Sequence, residues 1–339
     1  MRCLVVGGTG FLGGAIADAL AAVGHEVAVL TRGETGRALP EGVETIRADR
    51  YDDLSPLAGR RFDWAFDTCA YEPGAVERLL DALGGELARY VLISSISAYG
   101  TFARRGLTED DPVPDATAED LAAARAVPPD KRASAFAYGA SYGPLKRSCE
   151  VAATERLGER ATALRVGLLV GAGDYTDRLT WWARRIDEAR GARRRVPAPG
   201  PPERPVQMID ARDAARFAQR CAEGALGGVW NVTGRPMPFS ELLDAIRRAA
   251  GSEAEIVWVD ERAVLNAGIS PWTDLPLMAL ADPDFRHFLE VDAGRARAAG
   301  LSTRPLDETL GPLLAWDRGR RERPLQCGLT PEREAALLG

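Results

Sequence analysis

Strand–helix alternation through the first 170 residues, a glycine-rich turn joining the first strand to the first helix, and a length of 339 residues predict an α/β chain. The expected architecture is a doubly wound parallel sheet followed by a smaller C-terminal lobe. Short apolar runs at 3–6, 26–30, 43–47, 64–67, 90–94 and 163–170 read as strands, with helical patterns at 12–23, 74–83 and 145–157 between several of them. Such helices supply the right-handed crossovers that parallel strands need. The segment 100–140 departs from this rhythm. It is charged, interrupted by Pro112, Pro114, Pro128 and Pro129, and offers one short helix at 118–126. Residues 193–205 hold five prolines and read as a connector. Beyond them, 207–209 and 229–232 read as strands and 213–223, 239–250, 307–318 and 331–338 as helices, with Ser240 the expected cap of the 239–250 helix.

Composition narrows the function classes. Hydrophobic residues at 46% and charged residues at 27% describe a globular protein, which excludes wholesale disorder. A net charge of −6 gives no general attraction to nucleic acid or anionic membrane. No apolar run reaches the roughly 18 residues needed to span a bilayer, and the opening residues do not read as a signal peptide. Cys3, Cys69, Cys149, Cys221 and Cys327 form no CxxC pair and read as reduced thiols of a cytoplasmic protein. With only His25 and His287 present, no metal site is expected. Lysine occurs only at 131 and 146, so almost every cation in this chain is an arginine.

The turn Gly7-Gly8-Thr9-Gly10-Phe11-Leu12-Gly13 satisfies both GxxGxxG and GxGxxG spacings between a strand and a helix. Glycines there allow a tight turn and close approach of backbone to a pyrophosphate, which the helix N-terminus attracts through free N–H groups. The sheet is therefore read as Rossmann-type. Residues 1–170, with about 205–232 returning to them, form the dinucleotide-binding domain, and 171–204 with 233–339 form the substrate lobe and C-terminal helices. The second strand ends in Thr31-Arg32-Gly33 without the acid that binds the ribose hydroxyls of NAD. Arg32 suits a 2′-phosphate through its planar fork, so NADP is the expected cofactor, with NAD through Glu34 as the alternative.

Tyr142-Gly143-Pro144-Leu145-Lys146 is the one Tyr-x-x-x-Lys in the chain, and on a helix that spacing puts both side chains on one face. An ammonium beside a phenol favours the phenolate, lowering a pKa that starts near ~10 and equipping Tyr142 for proton transfer. Pro144 is tolerable if the helix starts near 140 or 141. The strand at 90–94 runs into Ser94-Ser95-Ile96-Ser97, at the sheet edge where ligands of doubly wound folds bind.

These motifs resemble the extended branch of the short-chain dehydrogenase/reductase superfamily, the NAD-dependent epimerase/dehydratase-like proteins. The resemblance spans most of the chain. It implies hydride transfer with Tyr142 as acid/base, Lys146 tuning it and holding the ribose, and Ser95 orienting the substrate oxygen. It places Asp49 at the adenine, Thr68, Cys69 and Ala70 along the adenosine, and Ser94, Val166 and Gly167 near the nicotinamide. Two positions depart from the pattern of nucleotide-sugar members. Leu168 replaces a common asparagine, and Val206 falls where a phosphate-binding arginine is expected, with Arg178, Arg204 and Arg212 as other cations within reach. Ser97, Tyr175, Trp181, Gln207 and Trp272 are the candidate substrate residues, and together they describe a pocket less polar than one for a sugar nucleotide. The leading expectation is an NADP-dependent carbonyl reductase or alcohol dehydrogenase acting on a small metabolite. An epimerase or dehydratase with tightly held cofactor and a sugar-like substrate is the first alternative, and a non-catalytic NADP-sensing protein the second. A homodimer through 74–83 and 145–157 is the expected assembly.

Overall fold

The computed structural model describes every residue except Thr35, Gly36, Ala133, Leu280 and Ala281. Strands β1 (Arg2–Val6), β2 (Glu26–Thr31), β3 (Glu44–Arg47), β4 (Trp64–Asp67), β5 (Arg89–Ser95) and β6 (Ala161–Val166) follow the apolar runs closely. The last of those runs is cut short. After Gly167, whose N–H donates to the Val232 carbonyl (3.0 Å), a separate strand β7 (Leu169–Val170) begins. Six further strands follow, each short: β8 (Arg195–Pro199), β9 (Pro205–Val206), β10 (Ile209–Asp210), β11 (Gly228–Val232), β12 (Met237–Pro238) and β13 (Glu255–Val259). Seven strands form one parallel sheet in the order β3-β2-β1-β4-β5-β6-β11, while β7 pairs in parallel with β10 outside it. The order reverses between β1 and β4, so the glycine turn after β1 lies at the switch point where such sheets bind ligands.

Alternation along each strand sorts the core onto two faces. Cys3 and Val5 of β1, Val27 and Val29 of β2 and Phe66 of β4 pack under helices α1 (Phe11–Ala22) and α6 (Ala211–Glu223). Leu4, Val6, Ala28, Leu30 and Leu92 face α2 (Pro73–Leu83) and α4 (Tyr142–Leu157) instead. Both faces being covered explains why these strands are continuous apolar runs rather than alternating ones. The helices α2 and α4 also pack on each other, with Arg156 bonded to Asp81 (2.6 Å) across their outer edge. Between β5 and α4, the expected helix α3 (Ala118–Ala126) starts with a Thr117–Asp120 capping box.

A second core gathers around α5 (Arg178–Asp187), α7 (Phe239–Ala250), α8 (Glu261–Asn266) and α10 (Asp307–Arg318), with α9 (Gly294–Ala298) against β11 and α11 (Pro331–Leu338) against β8. Here the structure differs from two expectations and adds an element that none covered. The proline-rich connector contains β8, which pairs in parallel with β13; Pro197 and Pro199 are tolerated because this two-stranded sheet asks little of their missing N–H groups. Helix α7 begins at Phe239 with Pro238 in the cap position, so Ser240 is not the cap, and its N–H donates to Pro202. Helix α5 was hidden by its arginines. Arg184 is buried against Asp317 and Arg185 against Glu334 (2.6 Å), so both guanidinium groups lie inside the lobe. No helix among the described residues is long and apolar enough to cross a membrane.

Candidate active site

Gly7 takes φ 79°, a left-handed conformation that glycine adopts freely, and its N–H donates to the Leu30 carbonyl (2.9 Å). The chain then folds back so that Gly10 donates to the Gly7 carbonyl (2.9 Å). A Cβ on Gly13 would stand 2.3 Å from that same oxygen, so α1 approaches β1 this closely only with glycine there. Helix α1 starts at Phe11 with no side-chain cap and no acid in its first turn, which leaves the N–H groups near Phe11 and Leu12 for an anion. Thr9 pairs with the Thr31 hydroxyl (2.9 Å) and fixes the turn against β2.

This turn floors a cleft of about 1550 Å³ that runs along the carboxyl edge of the sheet. Its lining includes Gly7, Thr9, Gly10, Phe11, Leu12, Gly13, Arg32, Asp49, Thr68, Cys69, Ser94, Ser95, Ser97, Tyr142, Lys146, Val166, Gly167, Tyr175 and Trp272, so the structure brings together most of the residues expected from sequence. A cradle that a Cβ would fill, an uncapped helix N-terminus and a cleft of this size fit a dinucleotide cofactor.

Tyr142 opens α4, and Pro144 is tolerated in its first turn, where no intrahelical N–H bond is lost. Gly143 presses on the turn after β5: a Cβ there would lie 2.2 Å from the Ser97 carbonyl oxygen. That contact sets Tyr142 beside Ser95. Burial pushes the Tyr142 phenol up to about 12, and a hydrogen bond with the Ser95 side chain opposes the rise. The expected lowering by Lys146 is therefore corrected. The buried Lys146 ammonium donates to the main-chain carbonyls of Ala70 (2.8 Å) and Ile93, and its own pKa is lowered by burial.

Other expectations are corrected too. Trp181 is buried beneath Gly328 and edge-on to Trp182 (4.6 Å), so it is core rather than pocket. Gln207 is buried with both ends bound: its amide donates to Gly234 (2.9 Å) and Val291 (2.7 Å), and its carbonyl accepts from the Val291 N–H (3.0 Å). Ala70 is buried outside the cleft and contributes only the carbonyl held by Lys146. The Ser94 hydroxyl donates to Glu150 (2.6 Å), which also takes a two-pronged bond from Arg165 (2.9 and 2.7 Å). Thr68 spends its hydroxyl on the Val6 carbonyl (2.8 Å). Arg32 is bonded to Glu34 (2.5 Å) rather than free. Among the substitute cations, Arg204 is held by Glu261 and Arg212 by Asp210 (2.6 Å), and Val206 is fully buried.

Several cleft residues were missed. Buried Arg50 bonds Asp67 and the Ala75 carbonyl (2.6 Å), bracing the loop that carries Cys69. Phe136 stands 68% exposed in the wall of the cleft. Asp174 lines it as well, its only signal a place in a glycine-containing loop after a strand end, and so does Arg178, one of the cations named as within reach of the pocket.

An α/β sheet with a glycine cradle at its switch point and a Tyr–Ser–Lys group beside it, its serine and lysine buried and its tyrosine half-buried, defines a nicotinamide-dinucleotide enzyme of the short-chain type. The chain belongs to the NAD dependent epimerase/dehydratase family, whose pattern it matches over residues 3–233. It is similar in fold to a UDP-N-acetylglucosamine 4-epimerase from Methanobrevibacter ruminantium M1 (TM-score 0.66, 19% identity, 94% of this chain and 98% of that one). It is also similar to a UDP-glucuronic acid 4-epimerase from Bacillus cereus solved with NAD (TM-score 0.65, 16% identity, 94% and 99%). In sequence it is 32% identical over 117 residues to a 2′-dehydrokanamycin reductase from Streptomyces kanamyceticus, a match covering 34% of this chain and 33% of that protein.

Two outcomes follow from the geometry. Gly143→Ala forces α4 off the Ser97 turn, an overpacking that costs about 1–3 kcal/mol in urea unfolding and moves Tyr142 away from Ser95. Asp174 is held at about 6, above its ordinary 3.8, chiefly by burial, with Thr176 and Arg178 opposing and Asp177 adding to the rise. A carboxyl raised in the folded state stabilises only while protonated, and that contribution is lost as pH rises through about 4 to 6. Relative to wild type, Asp174→Asn therefore gains stability between pH 4 and pH 8, by on the order of 3 kcal/mol, in unfolding titrations at the two pH values.

Proposed function

We propose that this protein is a cytoplasmic, NADP-preferring oxidoreductase that interconverts a carbonyl and an alcohol on a small metabolite, working as a homodimer through α2 and α4. The observation that carries the reading is the half-buried Tyr142 hydrogen-bonded to the Ser95 side chain in the same cleft as the glycine cradle. When bound, the nicotinamide supplies or accepts the hydride. The chain supplies the rest. Tyr142, protonated at neutral pH because burial disfavours its phenolate, donates its proton to the oxygen of the reduced carbonyl. Ser95 orients that oxygen, and the Lys146 ammonium fixes the floor of the cleft and offers its charge to the ribose. The matched reductase supports reduction over epimerisation, as do Leu168 and buried Val206 where nucleotide-sugar members carry polar groups. The epimerase/dehydratase alternative is favoured by the names of the structural neighbours.

Tyr142→Phe is expected to abolish nearly all NADPH consumption at 340 nm on a carbonyl panel while leaving cofactor affinity close to wild type. Lys146→Met lowers both. Retention of most activity in Tyr142→Phe removes the acid/base assignment.

NADP preference rests on Arg32, with Glu34 as the carboxylate it must release to meet a 2′-phosphate. Arg32→Ala is expected to weaken NADPH binding by about 1.5–3 kcal/mol, roughly ten- to a hundred-fold, with NADH little changed. Calorimetric titration of both cofactors decides it, and equal wild-type affinities unaffected by the substitution contradict the preference.

A further inference from the structure

Two charged side chains of the cleft have no part in proton transfer or cofactor binding. Asp174, in the loop after β7, is 2% exposed. Its Oδ1 accepts from the Thr176 N–H (2.8 Å) and hydroxyl (2.7 Å), while its buried Oδ2 has no partner among the described residues. Arg178, the first residue of α5, lies with its guanidinium 4.8 Å from the Trp272 ring centre and 5.9 Å from that of Phe136. It makes no hydrogen bond or ion pair among the described residues, and burial lowers its pKa.

Elsewhere this chain matches its inward-facing arginines to carboxylates: Arg165 to Glu150, Arg184 to Asp317, Arg185 to Glu334 and Arg304 to Asp213. A guanidinium and a carboxylate four residues apart in one cleft could satisfy each other, yet they stay unbridged. Both residues line the cleft: the half-buried Arg178 guanidinium is unbridged there, and the Asp174 Oδ2 lies buried in the wall with no partner among the described residues. A buried carboxylate oxygen without a partner is costly unless a ligand completes it, and the half-buried guanidinium beside it is available to an anion.

Resting on the oxidoreductase reading, we propose that Arg178 and Asp174 are the specificity pair of the cleft and that the substrate is a hydroxylated monocarboxylate. Arg178 takes the carboxylate through its planar fork, and Asp174 accepts a hydroxyl elsewhere on the same molecule. Trp272 and Phe136 hold the guanidinium in plane and cover the apolar edge of the ligand. A diphosphate is disfavoured because its further negative charge meets the Asp174 carboxylate beside the same arginine.

The test is calorimetric titration of glucuronate, glucuronamide and UDP into the NADP-loaded protein. Glucuronate is expected to bind with millimolar or tighter affinity, and glucuronamide at least about ten-fold more weakly. Arg178→Gln brings glucuronate down to the level of the amide and leaves the amide unchanged, which also shows that the variant is folded. Arg178→Lys restores part of the difference. Asp174→Ala weakens acid and amide by the same factor. Tyr142→Phe keeps glucuronate binding, so loss of the oxidoreductase reading and loss of this inference are told apart. Equal binding of acid and amide, no glucuronate binding up to about 10 mM, or UDP binding tighter than glucuronate through Arg178 overturns the proposal.

Discussion

A single buried ammonium holds the site together. Lys146 leaves α4 and reaches the carbonyls of Ala70, just past β4, and Ile93, near the end of β5. It therefore ties one helix to two adjacent strand ends at the carboxyl edge of the sheet. Charge-assisted bonds of this kind offset the cost of taking the ammonium out of water, and their direction fixes the rotation of α4. Once α4 is so turned, Gly143 rests on the Ser97 carbonyl and Tyr142 stands at Ser95. In a chain that uses arginine almost everywhere, a compact point charge at the end of a flexible stem is what this narrow place admits.

The carboxyl edge is then stiffened by buried ionic groups rather than by apolar packing alone. Ser94, Glu150 and Arg165 link β5, α4 and β6, with the Arg165 guanidinium over the Tyr99 ring (4.8 Å). Arg50, Asp67 and Tyr90 do the same between the loop after β3 and strands β4 and β5. Such networks contribute little net stability, but they leave few alternative arrangements for the side chains around the cofactor cradle. Against that background Asp174 and Arg178 stand out as charges the fold leaves incomplete.

The first half of the fold was legible because two-sided burial writes itself as short apolar runs, and the glycine turn and the Tyr142/Lys146 spacing each have one physical reading. The boundary of α4 was legible too, since Pro144 excludes an earlier helix interior. The C-terminal lobe was not. Helix α5 buries arginines whose partners, Asp317 and Glu334, lie far along the chain, and β8 is disguised by prolines whose partner strand is equally remote. Trp181 and Gln207 were read as pocket residues because an aromatic or amide after a strand end carries the same signal in a cleft as in a core. Phenol acidity was misjudged for a related reason: spacing shows that Lys146 shares a face with Tyr142, whereas the carbonyls that occupy its ammonium come from other strands.

On the proposed function, hydride passes in this cleft to a carbonyl whose oxygen Tyr142 protonates. That transfer is tested most directly with NADPH deuterated at the transferable C4 position, an oxo acid panel and mass analysis of the alcohol formed. One deuterium on the new carbinol carbon, with NADP released stoichiometrically, is the expected result. Product isomerised or dehydrated with no deuterium incorporated and no net cofactor consumed would contradict it, and would move the chain to the epimerase or dehydratase side of its family.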